Sequence, residues 1–317
     1  MTDVSVVMSV YDEPDHVQRT IESVLAQDGV DFEFIIISDG ASDDVLEVVC
    51  DVLKHPRVKF IEQENQGLTK ALINGCQQSS SPFIARIDAG DTMSKDRLKI
   101  QLGLLQENLE LGIVTSWVEI QTVEGYFLYD LTFSDDELNK AIVAPKADDF
   151  RSPFHASVMF RRSVYEQVGG YRSEFYFAQD CDLWSRMIEV AKLHVIEKVL
   201  TKGIFSDRGI SGKYASEQKQ LLSLILQARD QRQKSMSEDH TLSEAKQLRP
   251  SKLKVRKQAE DCFSGLYFIA KILTDNKSKH ALVYWRRVIS CKPLSIKSWL
   301  FFLQSMVLVL SGKGNDG

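Results

Sequence analysis

Through the first third of the chain, short apolar runs alternate with segments in which apolar side chains recur every three or four positions. The runs predict strands at 4–10, 34–38, 58–61 and 83–87, and the intervening segments predict helices at 15–27, 43–53, 67–79 and 94–107. Four strand–helix units in succession are the rhythm of a parallel sheet. Phe34-Ile-Ile-Ile37 and Ile84-Ala-Arg-Ile87 have too few alternating polar positions for half-exposed strands, so the sheet should carry helices on both faces.

From about residue 112 the pattern predicts strands at 113–121 and 126–133 around Glu124-Gly125 and a helix near 134–143. A strand at 156–160, a turn at Gly169-Gly170, a helix near 178–190 and a strand at 194–199 follow. The expected division is an α/β domain over 1–212, with a mostly parallel sheet flanked by helices, and a C-terminal helical extension over 213–317. That extension has a polar break at 235–250 and a basic segment with Lys252, Lys254, Arg256 and Lys257.

Composition narrows the classes. A chain of 317 residues that is 44% hydrophobic can bury a sizeable core, and a net charge of -5 argues against a protein that coats nucleic acid. Cys50, Cys76, Cys181, Cys262 and Cys291 show no C-x-x-C spacing, which fits reduced cysteines in a cytoplasmic setting. The opening run lacks the basic start and cleavage site of a signal peptide, so export is not expected. The longest apolar stretch, Trp299 to Leu310, is interrupted by Gln304 and Ser305 and falls short of the roughly 20 residues that cross a bilayer.

The candidate chemistry collects where the strands end. Ligands of an open parallel sheet bind beyond the carboxyl ends of its strands, and there lie Ser9, Tyr11 and Asp12, then Asp39, then Asn65 and Gly67, then Asp88 and Asp91. Turn and cap roles explain Asp and Ser at any one such position, as at Ser42, Asp43 and Ser94, but not their joint arrival at one edge. Neither a G-x-G-x-x-G loop nor a G-x-x-x-x-G-K-[ST] loop is present to cradle phosphates. Two carboxylates three residues apart, in Asp88-Ala-Gly-Asp91, repel each other and call for a cation; Mg²⁺ or Mn²⁺ suits such hard oxygen donors and leaves positions for phosphate oxygens.

Five stretches together resemble the family 2 glycosyltransferases with the GT-A fold: VSVVMSVYDEPDHVQRTIESVLAQ at 4–27, FEFIIISDGASDD at 32–44, NQGLTKALINGC at 65–76, ARIDAGDTMSKDRL at 85–98 and FHASVMFRRSVYEQVGGYRSEFYFAQDCDLWSRM at 154–187. The resemblance covers about residues 4–212. It implies that Asp39 binds the nucleotide base, that Ser9, Tyr11 and Lys70 lie near the nucleotide, and that Asp88 and Asp91 serve the metal and sugar diphosphate. Gly90 stands where the family's metal motif often has an aspartate, which makes Asp91 the direct ligand and leaves Asp88 for metal, ribose or sugar. In AQDCDLW, Asp180 aligns with the family's catalytic base, and Gln179 replaces the usual acid before it. His155, Arg208 and Ser211 align near the acceptor or the diphosphate.

These residues imply an inverting transfer of a hexose-type sugar to a hydroxyl acceptor. A carboxylate at Asp39 accepts from the ring N–H of uracil, thymine or guanine, so a UDP-sugar is the first expectation, with dTDP or GDP donors next. The implied acceptor is a saccharide or lipid-linked saccharide in bacterial surface polysaccharide or glycolipid synthesis, at the cytoplasmic side of the cell membrane. Rival readings are a nucleotidyltransferase of similar sheet, which would begin with a Gly-rich basic loop, and an inactive sugar-nucleotide-binding scaffold, which would have no need of Asp39, Asp91 and Asp180 together. For the C-terminal helices, peripheral membrane contact and packing against the chain's own core are both expected readings.

Overall fold

The computed structural model describes residues 2–11, 14–205, 214–249 and 263–310. The alternating third folds as β1 (Val4–Val10), α1 (Pro14–Leu25), β2 (Phe32–Asp39), α2 (Asp43–Cys50), β3 (Val58–Gln63), α3 (Leu68–Gln78) and β4 (Phe83–Arg86). A two-residue β5 (Thr92–Met93) and α4 (Arg97–Glu107) follow, then β6 (Leu111–Thr122), β7 (Phe127–Leu131) and α5 (Asp135–Ile142). β8 (Met159–Arg161), α6 (Arg162–Gln167), α7 (Gln179–Met187) and β9 (Lys192–Phe205) come next.

The strands run in the order β3-β2-β1-β4-β8-β6-β9-β5, with β7 paired to β6. β3, β2, β1 and β4 are mutually parallel, whereas β8 meets both β4 and β6 antiparallel. The fold is therefore α/β, with the expected parallel sheet as its first half. Phe34, Ile35, Ile36 and Ile37 are all fully buried. Phe34 and Ile36 belong to a cluster with Val17, Ile21, Val45 and Leu98, while Ile35 and Ile37 pack with Ala71, so helices do cover both faces. Each such side chain contributes about 1.5–3 kcal/mol by leaving water. α3 rides close to the sheet because Gly75 has no side chain: a Cβ there would stand 2.5 Å from Val7 Cγ1.

Two elements of the α/β part are absent from the sequence pattern. β5 is too short to show a period, and α6 is a six-residue helix inside a mixed apolar and polar run. Residues His155–Ser157 form a 3-10 turn rather than the start of a strand, with the Ser157 hydroxyl donating to Phe154 O at 2.8 Å.

Backbone contacts divide the chain into two compact units. The first comprises Met1–Val118, Thr132–Gly203 and Glu217–Arg249; the second comprises Glu119–Leu131, Ile204–Ser216 and Pro250–Gly317. This differs from a division at 212. The helices Ala215–Gln233 and Asp239–Gln247 cluster with the α/β unit, where Arg232 pairs with Glu189 at 2.8 Å and Glu238 with Arg172 at 2.7 Å. Asp239–Gln247 lies within the expected polar break, and it folds because its polar Thr241 is buried and hydrogen-bonded to Gln227 and Gln231. In the second unit the β6–β7 hairpin joins helices Phe263–Asp275, Ala281–Cys291 and Ile296–Leu310. Asn276 Nδ2 donates to Leu128 O at 2.7 Å, and the Trp285 and Phe301 rings stack at 5.4 Å. Lys252, Lys254, Arg256 and Lys257 lie outside the described residues.

Candidate active site

The sheet register explains why the candidate residues meet. Val7 of β1 stands opposite Ile35 of β2 and Arg86 of β4, so the residues that follow these strands emerge at one edge. Ser9, Asp39, Asp88 and Asp91 are all delivered there, and all lie in the first unit.

Asp39 ends β2 and is 3% exposed. Its Oδ1 accepts from Gln63 Nε2 at 2.7 Å and from the Gln66 backbone N–H at 2.8 Å, and its Oδ2 accepts from the Gly67 N–H at 2.8 Å. A carboxylate has about four acceptor positions, so three are taken and one on Oδ2 remains for a ligand N–H. Asp39 thus fixes the loop before α3. Gly67, at φ +91°, lets that loop pass under Tyr176; a Cβ would stand 2.5 Å from the Tyr176 ring. Tyr11, just past the end of β1, is largely exposed. Lys70 is exposed on α3, with Nζ 3.4 Å from Gln66 Oε1.

The Asp88-to-Asp91 turn is shaped by Gly90 at φ +106°, a backbone conformation that an aspartate adopts only with strain. The Gly90 N–H donates to Thr20 Oγ1 at 2.8 Å, and the Asp91 N–H to Asp88 O at 3.1 Å. The protein supplies cations of its own here. Arg86, fully buried, pairs with Asp88 through Nη2, and Arg97, also fully buried, faces Asp91 and Asp88 electrostatically. Burial lowers the Arg97 pKa to about 9, opposed chiefly by Asp91. Arg97 Nη1 has no hydrogen-bond partner among the described residues.

His155 links this turn to the helix that carries Asp180. Its Nε2 accepts from Arg86 Nε at 3.3 Å and lies 2.8 Å from Tyr171 Oη, while its Nδ1 stands 3.9 Å from Asp88 Oδ2. Burial first, and then the Arg86 charge, push the His155 pKa below its ordinary value; Asp88 and Asp180 both act in the opposite direction. The ring is therefore neutral at pH 7, and with Nε2 facing the Arg86 donor its proton is assigned to Nδ1, toward Asp88. Asp180 itself is half-buried in the first turn of α7. Cys181 beside it is no rival nucleophile, because burial and then the Asp180 charge hold its thiol well above the ordinary range.

Asp182 has a different role. It is 1% exposed and is gripped by Arg172 and by Arg186, whose Nη2 lies 2.7 Å from its Oδ2. Sequence reading missed Arg86, Arg97 and Tyr171. The signal for Arg86 was present, since one charge inside the apolar run Phe83-Ile-Ala-Arg-Ile87 must find a buried partner. Arg208 and Ser211 lie outside the described residues, as does Asp12.

Among the described residues no three acidic, imidazole or thiol groups gather into a metal cage. The donor set nevertheless fits a hard divalent ion, which takes one or two carboxylates and completes its shell with phosphate oxygens and water.

Comparison with known proteins bears on this arrangement. A family model described as Glycosyl transferase family 2 matches residues 5–169. An uncharacterized glycosyltransferase of Rickettsia bellii is 29% identical over 199 residues, covering 63% of this chain and 28% of the relative. A chondroitin synthase of Escherichia coli is 24% identical over 222 residues, covering 68% of this chain and 31% of the relative. The chain spans about a third of the length of the first curated relatives it matches. Among solved structures, the mannosyltransferase PcManGT of Pyrobaculum calidifontis, solved with GDP-Man and Mn2+, superposes with a TM-score of 0.56 at 14% identity, covering 98% of this chain and 86% of that one. S. aureus TarS 1-349, solved with UDP-GlcNAc, gives 0.56 at 15% identity, covering 94% and 91%. These two likenesses establish the fold as GT-A type. Since the family match takes in β1 through α6 and with them the strand ends that carry Asp39, Asp88 and Asp91, the chain belongs to glycosyl transferase family 2.

Proposed function

We propose that this protein is an inverting glycosyltransferase that moves a sugar from a nucleotide diphosphate, foremost a UDP-sugar, to a hydroxyl on a saccharide or lipid-linked saccharide acceptor. The observation that carries the reading is the position of His155, which feels the charges of both Asp88 and Asp180. Asp88, assigned to the sugar diphosphate, stands 3.9 Å from the His155 ring, which also meets Trp184 of α7, the helix that carries Asp180. The UDP-GlcNAc held by TarS and the polysaccharide made by a chondroitin synthase support the donor and acceptor classes.

In this reading Tyr11 stacks on the base and the remaining acceptor position of Asp39 Oδ2 takes its ring N–H. Asp91, with or without Asp88, would hold Mn²⁺ or Mg²⁺, which as a Lewis acid stabilises the departing diphosphate. Arg86 holds Asp88 in place, Arg97 faces Asp91 from within the fold, and the Nδ1–H of His155 steadies Asp88. Asp180 accepts the acceptor's hydroxyl proton as that oxygen attacks the anomeric carbon from the face opposite the diphosphate. The C–O bond to the diphosphate breaks as the new glycosidic bond forms, with charge building on the ring as an oxocarbenium ion. We also place the protein at the cytoplasmic side of the membrane, in surface polysaccharide or glycolipid synthesis.

A donor screen tests the reading. UDP-sugars, dTDP-sugars and GDP-sugars are added with Mn²⁺, and thermal unfolding is followed. A true donor at 100 times its Kd stabilises the fold by about 2.7 kcal/mol. Release of the nucleoside diphosphate on addition of a saccharide acceptor supports transfer, whereas stabilisation by none of the donors contradicts it.

A further inference from the structure

The last helix of the second unit, Ile296–Leu310, has two unlike faces. Ser298 and Ser305 are buried, and Phe301 stacks on Trp285. On the other side Ile296, Trp299, Leu300, Leu303 and Val307 are 76%, 45%, 62%, 53% and 66% exposed. Their spacing at 100° per residue gathers them into one apolar stripe about 100° wide. Leu294, in the turn just before the helix, is 96% exposed. A continuous exposed apolar stripe of this kind marks an interaction surface, unlike a single exposed leucine.

The charge around the stripe says what it meets. Residues 276–310 contain six cations, Lys277, Lys279, Arg286, Arg287, Lys292 and Lys297, and no aspartate or glutamate, in a chain whose net charge is -5. Arg287 is paired with Glu124 at 2.9 Å. Lys292 and Lys297 flank the start of the helix and are exposed, with their ammonium groups over the rings of Phe263 at 4.2 Å and Tyr267 at 5.7 Å, contacts they would exchange for lipid phosphates. An apolar stripe in an acid-free basic segment is complementary to a surface that is both apolar and negatively charged. We propose that this face docks on an anionic phospholipid bilayer, with the stripe set into the headgroup boundary and the lysines over the lipid phosphates. The helix lies in the plane of that surface: at 1.5 Å per residue it is about 22 Å long, less than the roughly 30 Å hydrocarbon core. No helix among the described residues is long and apolar enough to cross a membrane. The inference goes beyond the proposed sugar transfer and stands or falls without any turnover.

The test is co-sedimentation of the full chain with vesicles of phosphatidylcholine, and of phosphatidylcholine with about a third phosphatidylglycerol, at low and high salt. Binding is expected to the anionic vesicles and to weaken with salt. Lys292→Gln and Lys297→Gln should each weaken it about fivefold. A Leu300→Asp, Val307→Asp double variant should not bind, and its unfolding midpoint should match that of the parent because both positions are exposed. A second readout uses Trp299, since Trp184 and Trp285 are fully buried and Trp117 is half-buried on β6 in the first unit: brominated lipids should quench the parent's fluorescence, and a Trp299→Phe variant should lose most of that quenching. The proposal is overturned if anionic vesicles do not retain the parent at low salt, or if the double variant binds equally. It is also overturned if the parent is a dimer that the double variant splits, because the stripe then belongs to a second copy of the chain.

Discussion

Asp88 and Asp91 show how far a pair of residues can be read before its surroundings are known. Their closeness in sequence calls for a cation, and the fold supplies two, Arg86 and Arg97, before any ligand arrives. These guanidiniums come from β4 and α4, and no spacing rule links them to the turn. The turn is therefore held without a divalent ion, and in the proposed reading such an ion serves the diphosphate alone. Accordingly, Asp91→Ala should abolish the stimulation of turnover by Mn²⁺, and because it leaves buried Arg97 without its chief opposite charge it should also lower the unfolding midpoint. Turnover by the parent in excess chelator at its full rate would contradict this. His155 gives a second residue-scale prediction, in stability. Its folded pKa lies below the ordinary 6.5, so below about pH 6.5 the unfolded chain takes up a proton that the folded chain does not. His155 therefore costs no stability above that pH and a growing amount as pH falls toward its folded value. Urea unfolding from pH 8 to 5 should show a loss that is shallower in a His155→Gln variant; parallel curves would show that the imidazole stays as basic in the fold as in the unfolded chain.

At the scale of elements, the period of apolar positions located β1 to β4 and the helices between them, because a sheet buried on both faces leaves no ambiguity in runs such as Phe34–Ile37. The order β4-β8-β6-β9 was not legible, since antiparallel partners far apart in sequence are chosen by packing and not by local pattern. The edge carrying Ser9, Asp39, Asp88 and Asp91 was legible, because parallel strands all end on the same side. α7 shows that neighbouring carboxylates on one helix can have separate duties. Asp180 is half-buried, while Asp182 is held by Arg172 and Arg186, and Arg172 goes on to Glu238 and Glu238 to Arg232. Breaking such a buried ion network by removing one partner costs about 3 kcal/mol or more. Asp182→Asn should lower stability in urea by that amount, and Asp180→Asn by less than about 1 kcal/mol, the usual range for a position without such partners. Equal losses in the two variants would mean that both carboxylates are structural.

Across the whole molecule, the chain joins an α/β unit that bears every described site residue to a second unit of a hairpin and three helices. The sequence pattern placed the α/β domain and a helical region after it. It could not assign the β6–β7 hairpin to the second unit, because a hairpin inserted between strands of one domain has the same local pattern wherever it packs. The fold's likeness to GT-A structures at 14–15% identity shows that this architecture tolerates nearly complete replacement of its residues, which is why the account rests on a few side chains at one edge. Its central claim is that Asp180 accepts the acceptor's proton in a sugar transfer whose donor is held elsewhere, by Asp39, Asp88 and Asp91. The direct measurement compares the parent with Asp180→Asn for donor affinity by calorimetry and for nucleoside diphosphate release in the presence of acceptor. The account predicts unchanged donor affinity and turnover lower by about 10² to 10⁴ fold; an Asp180→Asn variant that transfers sugar at the parent's rate would contradict it.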